Sequence, residues 1–289
     1  MSTFDFNLTR NELIEIALRK IGALGGSQAV SSTQLSRAIQ TLNLIIREED
    51  LKQTEQSKSL WALSGKALPL TANGIAYTTT EGLPSDISEL VSAMYRDTSG
   101  DDVTLEIISE QQYNDLADKN ETGDPEKVFL KSNILHASQK LYVWPAITSV
   151  GTESVVTGTD SVVYRCIMGH TSAAINKPIT GQDYLTFWQA GGTGAVAWAT
   201  ATAYTHAALL MLTYKRPLYD FDAAGDNPDM PSGWNRYLLY RLAYDLAPEY
   251  GIALDERHWL RNEFMEAYNV IFPSTKVKST SIHNKTSFM

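Results

Sequence analysis

A single cysteine, Cys166, stands among 289 residues, so an intrachain disulfide framework is excluded and the chain fits a reducing compartment. Nowhere do apolar residues run uninterrupted for the ~18 positions a membrane span needs. No N-terminal stretch joins a basic head to an apolar run, so no signal peptide is expected. Basic charge is in deficit: 24 Lys and Arg face 33 Asp and Glu, a net charge of −9. That balance argues against a surface that grips nucleic acid throughout. Also missing are a Walker loop, a nucleophile elbow and any pair of carboxylates placed for acid–base work, so no catalysis is expected. What remains is 43% hydrophobic and 20% charged, an ordinary globular composition for one large domain or two modest ones. The expectation is a soluble chain assembled in a cytoplasm.

The N-terminal part reads as helix. In "TRNELIEIALRKIGALGG", Thr9 and Glu12 form a capping box, Leu13, Ala17 and Ile21 make an apolar stripe, and Gly25–Gly26 is the expected stop. In "SSTQLSRAIQTLNLIIREEDLKQTEQ", Leu35, Ile39, Leu42 and Ile46 recur at helical spacing over about seven turns, longer than the usual globular helix. From Trp61 the period becomes two, with short strands broken at Ser64–Gly65, Asn73–Gly74 and Ser99–Gly100. "SEQQYNDLADKN" reads as a short helix capped by Ser109 and Gln112, and "KVFLKS", "QKLYVWPA" and "AALLMLTYK" as further strands. Two helices close the chain, "PSGWNRYLLYRLAYDLAPEYG" and "LDERHWLRNEFMEAYNVIF". The first carries apolar and aromatic side chains almost all round, so it is either wrapped by its own protein or shared with another subunit.

Between Val150 and Tyr204 the composition turns to Thr, Val, Ala and Gly with recurrent aromatics, which reads as a small β module inserted between two strands. Its Cys166 and His170 form one C-x-x-x-H pair, short of the four ligands of a structural zinc site; on a strand-rich segment they are expected to point apart. "GGTGAVA" at 191–197 matches a dinucleotide loop only loosely and opens no helix. The aromatics, Trp188 and Trp198 foremost, either stack on sugar rings or form the module's core. Downstream, Asp220, Asp222, Asp226 and Asp229 crowd one loop, but Ala224 and Pro231 break the calcium-loop pattern, leaving an acidic run into a helix start. No metal and no cofactor is expected. The tail "PSTKVKSTSIHNKTSFM" holds Lys276, Lys278 and Lys285 and no acid, and reads either as a frayed end or as an arm that docks on a partner or approaches DNA.

Taken in order, several segments resemble the head-to-tail adaptors of short-tailed bacteriophages, the tail-tubular and tail-accessory type. They are "ELIEIALRKIGALG", "LSRAIQTLNLIIRE", "SLWAL" with "LPLTANGIAYT", "LPSDISELVSAMYRD", "ISEQQYNDLADKNETGDPEKVFL", "LYVWPA" and "DNPDMPSGWNRYLLYRLAYDLAPEYG". The resemblance covers most of 8–149 and 206–273 and omits the 150–205 module. It implies an α+β fold: an antiparallel α-helical core of two N-terminal and two C-terminal helices, a β-strand region and the inserted β domain. The expected domains are a discontinuous one at 1–149 and 206–273, the module at 150–205 and a tail at 274–289. It further implies a structural virion protein at the portal vertex. Copies form a ring, usually of twelve, on the portal protein, extend the DNA channel and carry the tail nozzle or tube. Genomic DNA passes without specific binding, and no membrane is involved. The expected contact residues are Trp234, Tyr237, Tyr240, Tyr244, Lys276, Lys278 and Lys285, with Trp188 and Trp198 as a possible module surface. A carbohydrate- or wall-binding role for the module is the alternative.

Overall fold

The computed structural model describes residues 7–56, 63–132, 139–192 and 196–271. In chain order its helices are α1 (Arg10–Lys20), α2 (Ser32–Gln56), α3 (Glu110–Asn114), α4 (Tyr184–Phe187), α5 (Asn235–Leu246) and α6 (Leu254–Ile271). The strands begin with β1 (Leu63–Pro69), β2 (Ala76–Tyr77), β3 (Glu89–Arg96), β4 (Asp102–Thr104), β5 (Glu106–Ile107), β6 (Lys127–Lys131) and β7 (Lys140–Trp144). They continue with β8 (Val155–Thr157), β9 (Val163–Cys166), β10 (His170–Thr171), β11 (Trp188–Ala190), β12 (Val196–Ala197), β13 (Ala203–Tyr204) and β14 (Leu209–Lys215). The class is mixed α+β. The chain divides into two compact units, 1–61 with 218–289, and 62–217. The division falls at 61/62 and 217/218. Its physical basis is a break in hydrophobic continuity, because the helices bury one core and the strands bury others.

In the helical unit, local chemistry sets the ends of α1. The Thr9 side chain accepts from the Glu12 backbone N–H, and Glu12 reaches back to the Thr9 N–H at 2.9 Å. The helix stops at Gly22, whose φ of +68° favours glycine, three residues before the expected Gly25–Gly26 stop. Leu13, Ile14, Ala17 and Leu18 of α1 and Ala38, Leu42, Ile45 and Ile46 of α2 are buried with α5 and α6 residues in one cluster. Since α5 lies against α1, α2 and α6, its all-round apolar pattern is satisfied within the chain.

In the strand unit, β1-β14-β3-β4 forms one antiparallel sheet, and β2-β7-β6-β5 a second with β5 and β6 parallel. Leu68, Leu90, Ala93, Leu210 and Leu212 from the first share a core with Tyr77, Val128, Leu141 and Val143 from the second. Ser64–Gly65, expected as a turn, instead runs inside β1 opposite Tyr214 and Thr213. The ends of this unit meet, for Leu63 stands opposite Lys215. The 150–205 segment builds its own sheet, β11-β9-β8-β12, and the β10-β13 pair. Its ends meet too: the Ala208 N–H donates to the Val150 carbonyl at 2.7 Å, and the Ser154 N–H to that of Thr205 at 2.8 Å. Gly181 closes the turn beneath α4, where a β-carbon would stand 2.3 Å from the Ile175 carbonyl oxygen, so only glycine fits.

Candidate functional site

The residues expected at an interface separate into buried and surface sets. Trp234 is 2% exposed and Tyr237 1%, so both are core residues and cannot meet a partner; this corrects their placement at an interface. Tyr237 donates its hydroxyl to Glu49, itself 1% exposed, and meets Trp234 edge-on at 5.4 Å. Burial first, and then the Glu49 carboxylate, push the Tyr237 phenol well above its ordinary value. Tyr240 and Tyr244 are half-buried. Tyr240 meets Trp259 edge-on at 5.8 Å, and Lys20 lies 5.2 Å above its ring. Tyr244 leans on Phe264 at 5.3 Å. Lys276, Lys278 and Lys285 lie outside the described residues.

Apolar surface is nonetheless left uncovered on this unit. Leu44 is 70% exposed and Leu51 73%, two turns apart on α2 and off the Leu35–Ile39–Leu42–Ile46 stripe. On α6, Trp259 is 48% exposed, Met265 42% and Val270 73%. The seven-residue spacing of Leu44 and Leu51 was visible in the sequence and marks an apolar line that the core does not use.

The acidic loop is structural. Asp226 accepts from the backbone N–H groups of Asp222 and Ala223, and Asp229 from that of Tyr219 at 3.1 Å. Arg47 pairs with Asp220 at 2.6 Å, and the loop carbonyls of Asp226 and Ala224 accept from the first N–H groups of α1. Among the described residues no group of three His, Cys, Asp or Glu side chains converges as metal ligands would.

In the module, Trp188 is 1% exposed and donates its indole N–H to the Asn176 carbonyl at 2.7 Å, so of the two readings, module core or possible surface, it takes the core one. Trp198 is half-buried, with Lys177 5.4 Å above its ring. Cys166 and His170 come together instead of pointing apart, Sγ to Nδ1 at 3.8 Å. The segment turns back through Met168, whose carbonyl meets Sγ at 3.0 Å and Nδ1 at 2.8 Å. Burial raises the thiol to about 11, and the imidazole is hemmed by Phe187, Trp188 and Tyr204. A thiol held neutral at physiological pH is not an activated nucleophile.

A cleft of about 510 Å³ lies between the outer face of the β1-β14-β3 sheet and the module. Met94 and Met211 form part of its floor, Tyr164, Tyr184 and Leu185 its module wall, and Gly65 and Lys66 one rim. Two polar anchors set its width. The Gln189 amide donates to the Ala67 carbonyl at 2.7 Å and accepts from the Ala67 N–H at 2.9 Å. Arg96, held by both Asp102 oxygens at 2.7 and 2.6 Å, donates to the Ile167 carbonyl at 2.9 Å. Desolvation, and next the Arg165 charge, lower the Lys66 amine below its ordinary value. Sequence reading missed this cleft because strands more than a hundred residues apart build it; a Gly inside a strand-like run was its local trace. Compared with known proteins, the chain matches no family model and no curated protein.

Proposed function

We propose that this chain is a structural virion component, a head-to-tail adaptor whose copies ring the portal, prolong the DNA channel and give the tail its platform. The observation that carries the reading is apolar surface left over on the helical unit, at Leu44 on α2 and at Trp259 and Val270 on α6. Apolar groups of that size gain about 1.5–3 kcal/mol each when a neighbour covers them. In a ring, one patch meets a different patch on the next copy, so surplus on two helices of one unit is what such an interface requires. The ordered resemblance of 8–149 and 206–273 to the adaptor family supports the same assignment, and in its finer form sets α1, α2, α5 and α6 antiparallel. Net charge of −9 suits a conduit wall that repels phosphate and lets DNA slide. In this reading the partners are the portal, sister copies and the tail nozzle or tube. The chain performs no catalysis, and it resides at the portal vertex after assembly in the host cytoplasm. The basic arm with Lys276, Lys278 and Lys285 reaches the portal.

Electron microscopy of the purified chain with and without portal protein is the test. Rings seated on the portal are expected, with monomers acceptable in its absence. A chain that stays monomeric and unattached beside intact portals overturns the reading.

A further inference from the structure

The cleft of the strand unit has features that the ring does not use. Among the described residues β1 is the outer strand of its sheet, paired on one side with β14 alone. In an antiparallel strand alternate residues turn their N–H and C=O groups to opposite sides. Those of Ala67 point away from β14, and the side chain of Gln189 takes both, acting as a single peptide unit of an absent next strand. Gly65 lies two residues earlier, so its N–H and C=O point the same way. It is exposed, and among the described residues nothing bonds to it from that side. The edge is thus closed at Ala67 and open at Gly65, where the cleft begins.

The floor beside this open edge is apolar and adaptable. Met94 and Met211 are half-buried, and Leu185 at the rim is 72% exposed. Unbranched Met side chains re-pack around varied shapes, which suits a surface that receives side chains of another chain. The rim carries one uncompensated charge. Among the described residues no acid pairs with the Lys66 amine. The neighbouring Arg165 is a like charge with an acid of its own, Glu153, at 3.5 Å.

The geometry points to an extended peptide of a partner protein as the occupant. It adds to the β1 edge at Gly65, sets an apolar side chain toward Met211, and places a carboxylate side chain on Lys66. Main-chain bonds supply affinity in this mode, and the pockets for alternate side chains supply selectivity. The inference stands whether or not the chain forms a ring, and its test requires no portal.

A fluorescein-labelled octapeptide of alternating leucine and glutamate, with a lysine-for-glutamate counterpart, is titrated against the full chain by fluorescence anisotropy. Saturable binding of the acidic peptide is expected, weakening as salt rises because the contact is ionic. Lys66→Glu should weaken the acidic peptide about tenfold and bring the lysine peptide up by a similar factor. Gly65→Pro removes the outward N–H on an outer strand that tolerates proline, and should weaken both peptides with the melting temperature kept. No saturable binding of the acidic peptide up to about 1 mM, the weak limit of specific recognition, overturns the proposal. So does equal binding of the two peptides, or indifference of the affinity to both substitutions.

Discussion

At the scale of single residues, burial fixes the chemistry. Cys166 is enclosed, and its thiol sits near 11 against an ordinary 9. Because the folded thiol keeps its proton longer than the unfolded one, its contribution to stability is complete below pH 9 and is lost as pH rises toward 11. Two pH units correspond to roughly 2–3 kcal/mol. Urea titrations at stepped pH should therefore show stability declining across that window, and Cys166→Ala should make the decline shallower. Below pH 9, a thiol reagent should label the folded protein slowly and the urea-unfolded protein at once. In the helical core, Trp234→Ala should cost about 3–5 kcal/mol through the cavity it leaves. Tyr237→Phe should cost about 1–3 kcal/mol, because Glu49 loses a hydroxyl donor while remaining buried. A stability change under 0.5 kcal/mol for Trp234→Ala would mean that this indole is not in the core.

Among the elements, the inserted β module is the most sharply constrained. Gly181→Ala brings a methyl group against Ile175 backbone atoms that cannot retreat, so the turn and α4 above it should loosen. Hydrogen exchange of the module amides should accelerate, while that of α1 and α5 stays unchanged. Gln189→Ala should free the Ala67 amide alone, at about 1–2 kcal/mol for two hydrogen bonds. The elements were legible in the sequence wherever the signal is local. Thr9 with Glu12 and Ser109 with Gln112 are capping boxes in the structure as in the sequence, and Asn73, at φ +58°, turns where Asn–Gly predicts. Pattern failed where distant partners decide. Ser64–Gly65 has turn composition but is held extended by β14, and the apolar ring around α5 is explained by three neighbouring helices that periodicity alone does not place. The same limit hid the cleft, whose lining comes from β1, β3, β14 and the module, and left Trp188 undecided between surface and core.

For the whole molecule, the adaptor reading predicts how assembly responds to surface change. Leu44→Glu replaces an exposed apolar side chain, so thermal unfolding should move little, within the ±0.5 kcal/mol usual at surfaces. Ring formation on the portal should fail or become salt-sensitive, as gel filtration with portal and electron microscopy would show. Removing residues 274–289 should weaken portal attachment while the melting temperature holds, and normal attachment by the shortened chain would exclude a role for the arm. The paired ends of the strand unit and of the module carry a consequence of another kind. Each piece leaves its host beside the point where it entered, like a drawer within a drawer. Closing the gap after excision asks only for a short hairpin, a loop whose entropy cost grows slowly with length. A lineage could therefore gain, trade or discard 150–205 without rewriting the strands around it.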